Sequence, residues 1–335
     1  MSTNKKNVSN NKLAKKLLLA CSMLFVGDQA FAVGCSAYRG TSGGYTDTKN
    51  PFLLVHGVSG FDQVGGLIGY FHTIPQNLCR SGADVKVANV AAFNSSEQRG
   101  RKLAEDINNN RYGSSKFNII AHSQGSPTAR VAVTYDASMN SRGKGRIKSV
   151  TSVGGVNKGS KVADVVRGVV PSSGRIPGGI NALGDALGGL ISAISGSRNR
   201  QNGINALNTL TTSGTNDLNK RHGYGVAKSY CSNDRQSSAT VNGNKIYIYS
   251  WAGKSPLTNI LDITDAFVGI TSLVFGREDN DGLVSVCSQK LGSYLGAKRA
   301  NHVDEINHLF GLRSLFHNPV SMYRQHANRL RNKGL

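Results

Sequence analysis

The chain has 335 residues, of which 39% are hydrophobic and 18% are charged. Because an average globular protein has about 25% charged residues, this composition excludes an intrinsically disordered chain. The 40 Lys and Arg against 19 Asp and Glu give a net charge of +21, which favours polyanions without selecting among nucleic acid, anionic lipid and lipopolysaccharide. No recognition helix, aromatic RNA-binding strand or zinc spacing accompanies the basic residues. We therefore expect a solvated basic surface and no nucleic-acid partner.

The amino terminus has the pattern of a secretory signal peptide over residues 1–32. Lysines up to Lys16 precede an apolar run from Leu17 to Val26, and small residues at the cleavage spacing end at Ala32. The run is too short for a transmembrane helix, which needs about 20 residues. We expect no transmembrane segment and export through the periplasm to the extracellular medium. The alternative, a lipoprotein with Cys21 as the modified residue, leaves almost no apolar stretch before the cysteine.

From Pro51 onward, short β-branched runs alternate with segments long enough for helices. The predicted strands are Phe52–Val55, Val85–Val90, Phe117–Ala121, Ile147–Val153 and Ile246–Trp251, and a terminal helix is predicted over Pro319–Leu330. This alternation is typical of an α/β fold with a mostly parallel sheet and helices on both faces. Because no linker interrupts the pattern, we expect a single domain over residues 33–335.

Four cysteines remain after the predicted cleavage: Cys35, Cys79, Cys231 and Cys287. An even number in an exported protein fits two disulfides, and three pairings are possible. Pairing Cys35 with Cys79 and Cys231 with Cys287 closes two loops, each worth roughly 4 kcal/mol in the chain-entropy model. The residues alone do not decide among the three.

The third predicted strand leads directly into Ala121-His122-Ser123-Gln124-Gly125 and then into a helical stretch. Strand, small-x-Ser-x-Gly and helix in this order predict a nucleophile elbow, in which small residues let strand and helix approach while the serine is exposed. Ser123 is the predicted nucleophile. The alternative is a structural turn, because short motifs of this kind are common and Ala121 replaces the first glycine.

A serine hydroxyl needs a histidine to accept its proton and a carboxylate to orient that histidine. In this fold the chain order is serine, acid, histidine. His302 lies in a loop before a predicted helix over Asp304–Phe310, and it is the predicted base; His308 within that helix and His326 in the terminal helix are expected to be structural. Asp281, in a sharp turn before Gly282, is the predicted acid. Its alternative is an ordinary Asp-Gly turn residue.

Acyl transfer also needs hydrogen-bond donors for the tetrahedral oxyanion. The backbone N–H after the nucleophile belongs to Gln124. The second predicted donor is the N–H of Val58, in the loop that follows the first strand. His56 in this loop precedes the nucleophile in the chain, so we expect it to be structural.

Five segments together resemble the secreted bacterial true lipases of the Pseudomonas and Burkholderia type, which have the α/β-hydrolase fold. They are Val55–Gly57, Ala121–Gly125, Asn280–Val284, Asn301–Asn307 and His326–Leu330. The resemblance implies triacylglycerol hydrolysis by Ser123, Asp281 and His302, with the Val58 and Gln124 N–H groups at the oxyanion. Two positions depart from the family pattern: Val156-Asn157 stands where the family has Pro-His, and Ser126 stands where a glycine is usual.

The resemblance also implies a structural Ca²⁺ held by the carboxylates of Asp262 and Asp304 and by the backbone carbonyls of His308 and Leu312. It further implies a Cys231–Cys287 disulfide and a membrane-anchored folding chaperone as partner. In similar lipases a mobile helical lid lies at about 172–196, where apolar residues recur at helical spacing from Ile180 to Ile194. From the pattern alone, a plain core helix fits that segment equally well.

Two alternatives to a triacylglycerol lipase remain open from the sequence. One is a broader esterase or phospholipase, since nothing in the sequence encodes the acyl chain length. The other is a non-catalytic cationic protein that uses a hydrolase scaffold to bind anionic lipid, which the high charge motivates and the complete triad argues against.

Overall fold

The computed structural model describes residues 35, 44–58, 63–64, 68–168, 200–308 and 311–335. The predicted signal peptide at 1–32 and the predicted lid at 172–196 lie outside the described residues, so the domain boundaries stay predictions. Within the described ranges, no helix combines the length and the apolar character needed to cross a membrane.

Strands and helices alternate along most of the described ranges. In chain order, the strands are β1 Phe52–Val55, β2 Gln63–Val64, β3 Ile68–Gly69, β4 Val85–Val87, β5 Phe117–His122, β6 Ile147–Val153, β7 Ser238–Val241, β8 Asn244–Gly253 and β9 Ser293–Lys298. The α-helices are α1 Ile74–Arg80, α2 Ser96–Asn108, α3 Gly125–Met139, α4 Lys161–Val166, α5 Arg200–Leu210, α6 Thr212–His222, α7 Ile263–Thr271, α8 Val286–Gln289 and α9 Pro319–Asn332. Short 3₁₀-helices cover Ser272–Phe275 and Asp304–Ile306.

The central sheet has the order β4-β1-β5-β6-β8, and both β7 and β9 pair with the outer edge of β8. β7 runs antiparallel along the first half of β8, whereas β9 runs parallel along the second half. The other pairs in this sheet are parallel, and β2 and β3 form a separate antiparallel pair. This mostly parallel sheet confirms the predicted fold class.

Two hydrophobic cores cover the two faces of the sheet. Phe52 and Leu54 of β1 belong to the core that also contains side chains of α1 and α9. Leu53 and Val55 belong to the core that contains side chains of α2 and α3. Because successive strand residues point to opposite faces, a fully buried apolar run such as β1 requires helices on both sides.

Most predicted elements agree with the structure, but the helix predicted over Asp304–Phe310 is wrong. The described part contains only the 3₁₀-helix Asp304–Ile306, and Asn307 follows with a φ of 58°. The Asn307 side chain donates to the carbonyl of His72 and to the hydroxyl of Thr73, each at 3.0 Å. These contacts with a distant segment end the helix where the local sequence would continue it.

The two disulfides join Cys35 to Cys79 and Cys231 to Cys287. The first ties the chain before β1 to α1, and the second ties the loop after α6 to α8. Both pairs that close consecutive loops are therefore confirmed, including the Cys35–Cys79 pair, which the resemblance did not support.

Candidate active site

Ser123 occupies a sharp turn between the end of β5 and the start of α3. Its φ is 56°, a left-handed conformation that residues with side chains rarely adopt. A β-carbon at Gly125 would collide with the carbonyl of Val55, so only glycine lets α3 begin this close to β1. This is the strand, strained serine and helix arrangement of a nucleophile elbow.

Asp281 and His302 form a buried pair. Asp281 Oδ2 lies 2.7 Å from His302 Nδ1, and Asp281 Oδ1 accepts the N–H groups of Leu283 at 2.9 Å and Val284 at 2.7 Å. The backbone N–H of His302 also donates to the Asp281 carbonyl at 3.0 Å. A proton on Nδ1 is held by the carboxylate, which leaves Nε2 of the neutral ring as a proton acceptor.

The same pair lies at the elbow. The ring of His302 packs on the ring of His122, the residue before Ser123, with 4.5 Å between the centroids. On the other side of the elbow, a β-carbon at Gly57 would lie 3.1 Å from Ser123 Oγ, so the loop after β1 passes directly beside the hydroxyl. The structure thus brings the elbow, the predicted base with its predicted acid and the predicted oxyanion loop to one edge of the sheet.

Arg99 in α2 holds both predicted oxyanion segments. Its Nη1 donates to the Gly57 carbonyl at 2.9 Å and to Gln124 Oε1 at 2.6 Å. In a planar trans peptide the N–H points away from the C=O, so fixing the Gly57 carbonyl also fixes the direction of the Val58 N–H. Gln124 itself stands at the N-terminal end of α3, where the helix dipole favours negative charge.

Arg99 is a buried cation whose hydrogen-bond partners are uncharged. Its Nη2 also donates to the His56 carbonyl, and burial lowers the pKa of Arg99 to about 10. Burial lowers the pKa of His56 to about 3, so His56 is neutral and structural, as expected. Arg99 was not predicted from the sequence because α2 has the charge pattern of an ordinary surface helix. The sequence feature that indicated burial of this part of α2 was the neighbouring Gly100. A β-carbon at Gly100 would collide with Val131 and keep α2 away from α3.

Glu305 is a second buried carboxyl group behind the base. One of its oxygens lies 3.9 Å from His302 Nδ1 and 3.6 Å from His122 Nε2. Burial and the nearby Asp281 carboxylate raise the pKa of Glu305 well above its ordinary value, which favours the neutral acid. Burial and the neighbouring His302 lower the pKa of His122. The amino-acid sequence indicated no role for Glu305. Its side chain lies behind His302 because residues 304–306 form a 3₁₀-helix instead of the predicted α-helix.

Glu305, His122 and His302 are also, among the described residues, the group of three potential metal ligands whose ligand atoms lie within 4.8 Å of one another. His122 Nδ1 bonds the Tyr70 hydroxyl at 2.7 Å, and His302 Nδ1 bonds Asp281. These bonds connect the group to Tyr70 and Asp281 in one buried hydrogen-bond network.

The predicted calcium ligands Asp262 and Asp304 are both buried. Asp262 Oδ1 accepts the N–H of Thr264 at the start of α7, whereas its buried Oδ2 has no hydrogen-bond partner among the described residues. Burial raises the pKa of Asp262, and burial raises the pKa of Asp304 to about 6. The nearby Asp265 carboxylate raises both further. Clustered buried carboxylates of this kind fit a hard cation such as Ca²⁺, which binds oxygen ligands.

The two predicted carbonyl ligands flank a short gap in the described chain. His308 is buried and Leu312 is 40% exposed, while residues 309–310 lie outside the described ranges. The complete four-ligand set therefore stays a prediction.

The two positions that depart from the family pattern contact each other. The fully buried Ser126 hydroxyl in α3 donates to Asn157 Oδ1 at 2.7 Å. The Asn157 amide donates in turn to Ser152 Oγ at 3.0 Å and to the Gln289 carbonyl at 3.1 Å. A β-carbon at Gly155 would lie 2.7 Å from that of Ser126, so glycine there allows the approach. The two departures from the family pattern thus satisfy each other's hydrogen-bonding groups. Through Asn157, they connect α3 to Gln289 in α8.

We expect Ser126→Ala and Asn157→Ala each to lower the free energy of unfolding, because each leaves buried polar atoms without partners at a cost of about 1–3 kcal/mol. Since both changes remove the same bond, the double variant should lose about 1 kcal/mol less than the two single losses combined. Urea unfolding of the four proteins measures this coupling. Strictly additive losses would show that the two side chains act independently.

Known lipases are similar to this chain over most of its length. Residues 50–175 match the family model of the alpha/beta hydrolase fold. A triacylglycerol lipase of Vibrio cholerae is 42% identical over 325 residues, covering 96% of this chain and 99% of that protein. A triacylglycerol lipase of Pseudomonas fragi is 37% identical, covering 86% of this chain and 98% of that protein.

Solved structures share the fold at low sequence identity. The mature Bacillus licheniformis lipase BlEst2 superposes with a TM-score of 0.55 at 17% identity, covering 84% of this chain and 94% of that one. EstA from Clostridium botulinum superposes with a TM-score of 0.54 at 17% identity, covering 91% of both chains. These likenesses concern the fold alone, whereas the longer matches at higher identity define the family. The chain belongs to the bacterial triacylglycerol lipase family with the α/β-hydrolase fold.

Proposed function

We propose that this protein is a secreted triacylglycerol lipase that hydrolyses acylglycerol esters through an acyl-enzyme on Ser123. The observation that carries the proposal is the buried Asp281–His302 pair, with 2.7 Å between Oδ2 and Nδ1, whose imidazole packs on the ring of His122, the neighbour of the strained Ser123. The two lipase relatives, matched over most of their lengths, support the same substrate class.

In the proposed mechanism Ser123 Oγ attacks the ester carbonyl carbon while His302 Nε2 accepts the hydroxyl proton. The Asp281 carboxylate stabilises the resulting imidazolium, and the oxyanion receives hydrogen bonds from the Val58 and Gln124 N–H groups. When the carbon–oxygen bond to the alcohol breaks, His302 returns the proton to the leaving alkoxide. Water then attacks the acyl-enzyme with His302 again as base, and the fatty acid leaves as Ser123 regains its proton.

Secretion and the folding partner are parts of this proposal. Its supports are the signal-peptide pattern of residues 1–32 and two disulfides, which persist in oxidising compartments. The membrane-anchored chaperone and the lid at 172–196 follow from the resemblance. If a mobile lid is present, the rate of ester hydrolysis should rise abruptly once the substrate concentration exceeds the solubility of the substrate.

The test of the proposed function is fatty-acid release from emulsified triglycerides of graded chain length, measured for the folded, secreted protein. Release from long chains supports a lipase, whereas activity confined to short soluble esters would assign a broader esterase. Folded protein that releases no fatty acid yet binds anionic vesicles with a steep salt dependence would instead establish the non-catalytic alternative.

A bound Ca²⁺ held by Asp262 and Asp304 also belongs to the proposal. When bound, the ion supplies positive charge to two buried carboxylates. The Asp304 carboxylate accepts hydrogen bonds from the Thr258 hydroxyl at 2.7 Å and from the Ser314 N–H at 2.7 Å. These bonds connect the loop of His302 to both segments. Neutralising Asp304 would therefore stabilise the loop that carries the base.

A calcium chelator is expected to lower the melting temperature of the wild-type protein by about 5 °C, because ligand bound only by the folded state adds to its stability. Asp262→Ala should melt lower than wild type and show no further fall with chelator. The matched control is Asp217→Ala, which removes an exposed carboxylate that pairs with Lys220 on the surface and which should keep the full chelator response. A chelator response that survives in Asp262→Ala would exclude Asp262 as a ligand.

A further inference from the structure

Two loops beside the candidate active site expose large apolar side chains. The loop after β8 exposes Leu257 at 66%, Ile260 at 100% and Leu261 at 73%. The loop before α9 exposes Leu315 at 76% and Phe316 at 63%. Soluble proteins expose single apolar residues routinely, but a cluster of this kind marks a surface that contacts something other than water.

The two loops form one surface. Asn259 Nδ2 donates to the Arg313 carbonyl at 3.1 Å, directly joining them. The buried Asp304 carboxylate accepts a hydrogen bond from each loop, from the Thr258 hydroxyl and from the Ser314 N–H. We call residues 257–261 and 312–316 the paired apolar loops.

The paired apolar loops lie at the edge of the sheet that carries the elbow. The first begins four residues after the end of β8, and the N–H groups of Lys254 and Ser255 donate to the carbonyls of Lys298, the last residue of β9, and of Ala300. β8 and β9 run parallel to β5, whose carboxyl end carries Ser123. The carboxyl ends of parallel strands share one edge, so this surface faces the same side as the nucleophile.

The charge of the surface is positive. Lys254 and Arg299 are exposed, and the Arg299 guanidinium lies 4.2 Å from the centre of the Phe316 ring. The carboxylates of these segments, Asp262, Asp265 and Asp304, are all buried. Exposed apolar side chains with adjacent cations are the combination that binds an interface of hydrocarbon with anionic head groups.

We propose that the paired apolar loops dock the enzyme on an anionic oil–water interface, independently of the lid. The inference rests on the proposed function, since hydrolysis of an acylglycerol oil leaves fatty-acid anions at the surface of the droplet. Docking through these loops turns the edge with Ser123 toward the substrate. A soluble ester, which reaches the serine by diffusion, needs no such docking.

The decisive variant is the triple change Ile260→Ser, Leu315→Ser and Phe316→Ser. Hydrolysis of emulsified triolein at limiting interfacial area is expected to fall at least about tenfold, which corresponds to about 1.4 kcal/mol of binding. Hydrolysis of p-nitrophenyl acetate below its solubility should stay within twofold of wild type. The control is Met139→Ser, which removes a 45% exposed apolar side chain at the far end of α3 and should change neither rate.

The contribution of the positive charges is tested separately by measuring how much protein sediments with vesicles of equal parts phosphatidylcholine and phosphatidylglycerol. The double change Lys254→Gln and Arg299→Gln should weaken binding by about fivefold per charge, with no comparable effect on pure phosphatidylcholine vesicles. The control pair is Arg142→Gln and Lys144→Gln, in the exposed turn between α3 and β6 at the opposite edge.

Two outcomes would overturn the docking surface. Equal losses on emulsified and soluble esters in the triple variant would mean that the loops support the active site instead. Unchanged vesicle binding in the triple variant would exclude lipid as the occupant, and impaired recovery with the chaperone would then assign the loops to a protein. If wild type hydrolysed no ester at all, the proposed function would fail, while the vesicle measurements would still decide the docking surface.

Discussion

Ser123→Ala is expected to lower kcat on emulsified triglyceride by about 10⁶, the size of effect seen when a serine hydrolase loses its nucleophile. The alanine variant retains Asp281, His302 and the oxyanion donors, but no oxygen remains to form the acyl-enzyme. The melting temperature should change little, because alanine and serine have a similar cost at a φ of 56°. Fatty-acid titration and thermal unfolding of the same preparation measure the two quantities.

The matched control is Ser126→Ala, which removes a buried hydroxyl in the first turn of α3, three residues after Ser123. Its effect should appear in stability through the bond to Asn157, with kcat within a few-fold of wild type. A loss of less than about 10³ for Ser123→Ala, with the folded state intact, would mean that another group is the nucleophile.

The second large effect concerns the two carboxyl groups behind His302. Loss of the triad carboxylate with preserved geometry costs about 10⁴ in kcat when nothing replaces it, because the imidazole adopts the wrong tautomer. In this protein Glu305 lies 3.9 Å from the same Nδ1, and the Asp281 charge is one cause of its raised pKa. Asp281→Asn removes that charge, so the pKa of Glu305 falls and its carboxylate becomes available to His302. We therefore expect Asp281→Asn alone to cost clearly less than about 10⁴, and Asp281→Asn with Glu305→Gln to approach that value.

Steady-state rates of the two single variants and the double variant, with soluble ester as substrate, test this substitution of one carboxylate for another. Glu305→Gln alone should keep most of the wild-type kcat, because Asp281 then still holds the ring. The pH profile adds a second measurement, since activity of Asp281→Asn should require ionised Glu305 and rise with pH over a range where wild type is constant. If Asp281→Asn alone lowered kcat by the whole factor of about 10⁴ and Glu305→Gln added nothing, Glu305 would have a purely structural role.

Several features of the protein could be predicted because they depend on short stretches of chain. The elbow is one, since strand Phe117–His122, Ser123 and the helix from Gly125 are consecutive and the steric demand for small neighbours is local. The buried strand β1 is another, because an apolar run bounded by turns has few other solutions. Asp281 and His302 followed from chain order and loop position, and the structure places them 2.7 Å apart.

Other features depended on residues far apart in the chain, and no local pattern contained them. Strand β9 is half-buried along its length and contains Gly296, so it lacks the alternation that identifies a strand before its pairing with β8 is known. The 3₁₀-helix in place of the predicted α-helix results from contacts of Asn307 with residues more than 230 positions away.

By itself, the sequence determined the fold class and supplied the candidates for the nucleophile, the base and the acid, because these depend on hydrophobic periodicity, turn chemistry and chain order. Only the tertiary structure decided that Arg99 holds the predicted oxyanion loop, that Glu305 lies behind His302 and that Ser126 pairs with Asn157. The physical reason is that burial of a polar side chain requires a partner of matching geometry, and that partner is supplied by packing of distant segments rather than by neighbours in the chain.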